Sequence, residues 1–107
     1  MTQILYPDWR EKVAFSSEGP NPQALMETDK LKVVLVGMEA GQKIPVHPMP
    51  PAVYHFLDGS GWMTVNEERF AVGPGATVVT PAGATRGIEA ETRLAFLGAT
   101  FLEGHLE

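Results

Sequence analysis

Turn-forming residues cut this chain at short, even intervals, and that spacing limits its fold more than any other feature. Glycine (11) and proline (9) together make up about a fifth of the 107 residues. They form no low-complexity tract and no short repeat. Instead, Glu39-Ala40-Gly41, Asp58-Gly59-Ser60-Gly61, Asn66-Glu67-Glu68, Gly73-Pro74-Gly75 and Pro81-Ala82-Gly83 each interrupt a short apolar run. Short β-prone runs with turns every ~8–12 residues predict an all-β sandwich or barrel. No run predicts a helix longer than a turn or two, and a short one is placed within residues 8–15.

The individual strands follow from the same punctuation. Residues 23–27 and Leu31–Met38 flank Thr28-Asp29-Lys30 and read as a hairpin. Leu31–Met38 is apolar at both parities, so both of its faces must be covered. A partner subunit is one source of the second cover, which predicts a homodimer. Residues 41–51 carry the run His47-Pro48-Met49-Pro50-Pro51. Proline cannot donate to a central ladder, so this stretch is an edge strand or a loop. Residues 52–57 and 62–65 read as strands joined in a hairpin at Asp58–Gly61, and residues 69–72, 76–80, 86–89 and 91–102 as further strands.

One domain is the natural size for this length. Residues 1–22 read as an N-terminal arm whose Tyr6, Trp9 and Phe15 pack on the barrel or on a partner, and residues 23–107 as the barrel domain. The absence of cysteine removes disulfides, thiolate metal sites and cysteine nucleophiles. The net charge of −5, without a basic patch, argues against nucleic acid as a partner. No apolar run approaches the ~20 residues of a membrane-spanning helix, so no membrane partner is expected. The first residues lack the basic-then-apolar order of a signal peptide, so the expected compartment is the cytoplasm.

Two motifs within residues 41–90 carry a family resemblance. Gly75, Pro81, Gly83, Arg86 and Ala90 fall on the spacing G-x5-P-x-G-x2-H-x3-N, and Pro45, His47, Ala52 and Gly59 on H-x-H-x4-E-x6-G. The chain thus resembles a small single-domain cupin with degenerate metal-binding motifs. The resemblance implies a double-stranded β-helix, or jelly-roll, barrel with an N-terminal arm. In a second register His47 takes the first histidine position and Met49 the second.

In metal-binding cupins the four motif positions present three imidazoles and a carboxylate to a divalent transition ion. Here they hold Pro45, His47, Ala52 and Arg86. Proline and alanine supply no ligand side chain, and a guanidinium opposes a cation. The resemblance therefore implies that the standard metal site is lost and that no cofactor is held. Only an unorthodox site, His47 with His55, would keep a metal. Strand alternation turns His55 outward if Ala52, Tyr54 and Phe56 face inward. His105 is expected to be solvated in the C-terminal tail.

Arg86 has two readings. Its fork could grip the carboxylate or phosphate of a small ligand, with His47, Tyr54, Phe56 and Met63 completing the pocket. Alternatively it pairs with an internal carboxylate, Glu39 or Glu89, inside a filled barrel. Three functions stay open: a binding protein for a small, acidic molecule; an enzyme, either a metal-free isomerase or cyclase or a metal-dependent dioxygenase or isomerase with unusual ligands; and a dimeric structural or interaction module.

Overall fold

The computed structural model describes residues 3–102, so His105 lies outside the described residues. After a 3-10 turn at Trp9–Glu11, capped by the Asp8 carboxylate, nine strands follow. These are β1 (Asn21–Glu27), β2 (Leu31–Met38), β3 (Lys43–Pro48), β4 (Ala52–Asp58), β5 (Gly61–Val65), β6 (Glu68–Val72), β7 (Thr77–Thr80), β8 (Thr85–Ala90) and β9 (Leu94–Phe101). They form a five-stranded sheet, β1-β2-β9-β4-β7, and a four-stranded sheet, β3-β8-β5-β6. All described pairings are antiparallel. The all-β barrel expected from the turn spacing is present, and its form is the double-stranded β-helix that the family resemblance implies.

The expected β1–β2 hairpin forms, and β5 and β6 make a second one. The second turns at Asn66, whose φ of 55° is one that asparagine tolerates. Asp58–Gly61 is not a hairpin. It carries the chain from β4 in one sheet to β5 in the other, and β5 pairs with β6 and β8 instead. Gly59 sits there at φ +84°, and a Cβ would collide with the backbone of Arg93. The proline-rich segment is an edge strand, as proline requires. A bulge between Ile44 and His47 sets Pro45 and Val46 against Gly87, where any Cβ would strike Val46.

Side-chain parity divides the five-stranded sheet cleanly. Lys32, Val34, Val36 and Met38 of β2 share the inner face with Leu94, Phe96, Gly98 and Thr100 of β9 and Ala52, Tyr54 and Phe56 of β4. At one end Met38, Phe56, Met63, Val72, Ile88, Leu94 and Phe96 pack into a closed core. The Phe56 and Phe96 rings lie 5.3 Å apart.

The second cover on β2 is partly the chain's own arm. Gly37 abuts the Ala14 carbonyl and the Phe15 ring so closely that no Cβ fits. Arg93 holds this contact from the other side. Its guanidinium stacks on Phe15 at 4.2 Å and grips Glu39 through two hydrogen bonds of 3.0 and 2.8 Å. Phe15 therefore packs on the barrel. Further along the outer face an apolar row crosses all five strands through Met26, Val33, Ala99, Val53 and Val79.

Candidate functional site

The inner ladder changes character along the barrel. Beyond the Val36–Phe96–Phe56 layer comes Val34–Gly98–Tyr54, and then Lys32–Thr100–Ala52. In the middle of these layers a glycine replaces a large side chain, and a cavity of about 200 Å³ opens there. Its deep walls are apolar, formed by Val34, Val36, Ile44, Ile88 and Phe96. Its polar groups are Lys32, Thr100, His47, Tyr54 and Arg86. Engineered apolar cavities of about 150 Å³ admit a benzene ring, so this space suits a single ring or a short chain.

Arg86 dominates the wall. It is 2 % exposed and stands opposite His47 in the β3–β8 ladder. Its Nη1 donates to the Pro50 carbonyl at 2.8 Å and to Tyr54 Oη at 3.5 Å. Its Nη2 donates to the carbonyls of Met49 and Ala84, both at 2.9 Å, and its Nε to Ala84 at 3.3 Å. A guanidinium has five N–H donors, and these contacts engage all of them. The reading that pairs its fork with an internal carboxylate is corrected. Arg86 does not pair with Glu39, which binds Arg93, or with Glu89, which binds Arg69 at 3.3 Å. Nor is it free to grip a ligand carboxylate side-on, because three backbone carbonyls already hold it. Prolines at 48, 50 and 51 leave the segment beside β4 without three amide donors, and Arg86 turns to its carbonyls.

The charge of Arg86 nevertheless stays in place. No carboxylate contacts it among the described residues. Carbonyl dipoles solvate a cation without neutralising it, so the cavity wall keeps a positive potential. Tyr54 accepts from Arg86, which leaves its own O–H proton to donate elsewhere.

His47 lines the exposed rim of the cavity. Its Nδ1 lies 2.6 Å from the Pro45 carbonyl, an atom that can only accept. Nδ1–H is therefore the donor in this contact. Lys32, which the sequence reading missed, also lines the cavity. Glu27 stands opposite it in the β1–β2 ladder, but the two form no ion pair among the described residues. The available signal was parity, since Lys32 shares an inward stripe with Val34, Val36 and Met38.

Of the residues expected at a pocket, the structure brings His47, Tyr54 and Arg86 to one cavity. Phe56 and Met63 lie elsewhere. Both are fully buried in the closed core and do not line the cavity. Their inward parity was right, but the closed end of the barrel is simply filled.

The side chains at the four motif positions do not fit a divalent transition ion. Pro45 and Ala52 have no ligand side chain, and Arg86 is itself a cation. His55 does not rescue the site. It faces outward on the five-stranded sheet, where its Nδ1 bonds Thr77 Oγ1 at 2.8 Å, while His47 sits on the other sheet. Among the described residues no three histidine, aspartate or glutamate side chains converge.

The same architecture recurs in solved structures. An RmlC-like cupin protein from Desulfovibrio desulfuricans superposes with a TM-score of 0.80 at 22 % identity, covering 92 % of this chain and 97 % of its own. The fold is the cupin fold. A conserved protein of unknown function from Streptococcus pyogenes superposes with a TM-score of 0.82 at 24 % identity, covering 94 % and 88 %. The salicylate 1,2-dioxygenase of Pseudoaminobacter salicylatoxidans contains a similar cupin barrel, with a TM-score of 0.72 and 17 % identity over 82 % of this chain but 28 % of the enzyme. No protein-family model and no curated protein sequence matches the chain.

Proposed function

We propose that this cupin barrel binds a small amphipathic acid without a metal. The observation that carries this reading is Arg86: a buried guanidinium, uncompensated by any carboxylate among the described residues, on the wall of a cavity whose deep walls are apolar. An apolar body would bury itself against Val36, Ile44, Ile88 and Phe96, driven by loss of water from both surfaces. Its carboxylate would stay near the rim. There the Tyr54 hydroxyl donates, the Lys32 ammonium attracts, and the field of Arg86 favours negative charge. A cation in the same place would be repelled, and a neutral ligand would forgo the electrostatic gain.

Melting curves with small acids and their uncharged isosteres test this directly, because a ligand that binds only the folded state raises Tm. Benzoate and phenylacetate are expected to raise Tm in a concentration-dependent manner, and benzamide and benzyl alcohol to raise it less. If none of the acids moves Tm, or if the amide matches the acid, the proposal fails.

The outer face of the five-stranded sheet supports a second, independent element, pairing with another copy of the chain. Met26 and Val79 of the apolar row are 45 % and 72 % exposed, and Phe101 beside it is 47 % exposed. Such a row across five strands would be covered in a homodimer.

A further inference from the structure

Gly98 occupies an inward position in the middle of β9, paired with Val34 on one side and Tyr54 on the other. Glycine weakens a strand interior, so it needs a reason there. Five of the described glycines have one in a left-handed or otherwise positive φ, and Gly98 is not among them. Gly37, Gly59, Gly61 and Gly87 have another, because a Cβ would run into neighbouring atoms. At Gly98 a Cβ would meet its nearest neighbours, Val34 Cγ2, Phe96 Cε1 and Tyr54 Cδ1, at 3.6, 3.8 and 3.8 Å. These are ordinary van der Waals distances. Neither backbone nor packing demands glycine at this position.

What a side chain at 98 would occupy is the cavity. The peptide surface of Gly98 is flat, and the Tyr54 and Phe96 rings flank it, 6.0 Å apart and inclined at 56°. A thin body fits there better than a thick one. We propose that Gly98 is the specificity-determining residue of the cavity, and that the ligand's body is a planar ring lying over it. The ligand class is then the small aromatic monocarboxylates. This rests on the acid-binding reading above, and it adds both the residue and the shape of the ligand.

The experiment is calorimetric titration of benzoate and cyclohexanecarboxylate into the wild-type chain and into the Gly98→Ala and Gly98→Val variants. The two acids share charge and carbon number but differ in thickness. The wild type is expected to bind benzoate at least about tenfold more tightly than its saturated counterpart, the cost of forcing bulk into a fitted site. Gly98→Ala is expected to weaken benzoate severalfold and Gly98→Val to abolish measurable binding. The Tm of unliganded Gly98→Ala should equal or exceed that of the wild type, since alanine restricts the unfolded chain.

The outcomes separate cleanly. Wild-type protein that binds neither acid overturns the acid-binding reading, and this inference with it. Wild-type binding that survives unchanged in both variants overturns the role of Gly98 alone. Equal affinity for the two acids overturns the planar ring. A lower Tm in unliganded Gly98→Ala shows that the fold itself requires the glycine, which also overturns the assignment.

Discussion

Arg86 of β8 reaches across the barrel to Tyr54 of β4, placing guanidinium and phenol 3.5 Å apart on opposite sheets. The contact is long for a hydrogen bond, and most of the work at Arg86 lies in its shorter bonds to Met49, Pro50 and Ala84. Arg86 thus braces the proline-rich segment against the barrel while charging the cavity wall.

That brace predicts a large effect on stability. Arg86→Met keeps the apolar stem but leaves buried carbonyls without donors, and should cost about 2–4 kcal/mol. Arg86→Lys should recover only part of this, because an ammonium cannot span the same set of acceptors. Urea denaturation measures both. A loss under about 0.5 kcal/mol for Arg86→Met, the range of an inert surface change, would show that these bonds do not stabilise the fold.

Metal titration gives a second prediction. Manganese, iron(II), nickel and zinc salts should leave the Tm of purified protein unchanged, since a site-bound ion would raise it. Stoichiometric metal in the protein, lost on His47→Ala, would contradict the donor-set argument.

The arm should respond to acid. The hydrogen bonds from Arg93 hold the Glu39 carboxyl below its usual range; they outweigh burial, which acts upward, and the guanidinium's charge adds a lesser downward pull. A carboxyl lowered in the folded state contributes stability above its unfolded pKa and loses it as pH falls through the folded value. Docking of the arm should therefore weaken below about pH 4, where an ordinary carboxyl protonates. Hydrogen exchange at Val13, whose amide donates to the Trp9 carbonyl beside Phe15, should rise there in the wild type. In Glu39→Gln it should already be raised at neutral pH and change little in acid. Identical pH profiles for the two proteins would place the clasp elsewhere.

Pairing through the outer sheet face is tested by sedimentation. The wild type is expected to sediment as a dimer. Val79→Asp should shift it to monomer while its circular dichroism is retained, because Val79 is solvent-facing within one chain. A monomeric wild type at high concentration would rule this interface out.

Much of the barrel was legible because turn chemistry is local. Asn66 and the prolines at 45 and 48 act through backbone constraints that sequence alone displays. Gly59 shows where that legibility ends. The same glycine-rich stretch can reverse a chain within one sheet or pass it to another, and the choice depends on where Arg93 lies, 34 residues later. The inward parity of Tyr54 and Arg86 could be read. The partners of Arg86 could not, because they are carbonyls, which every residue carries. The hollow at Gly98 was equally hidden, since it needs the registers of β2, β4 and β9 together.

The most direct test of acid binding is calorimetric titration of benzoate into the wild type and into Lys32→Met, which removes charge from the rim while keeping the apolar stem. The wild type should bind one equivalent, and the variant should bind about tenfold more weakly, the effect of one lost charge-assisted contact. No heat of binding in the wild type, or an affinity unchanged in Lys32→Met, would contradict an acid held at this rim.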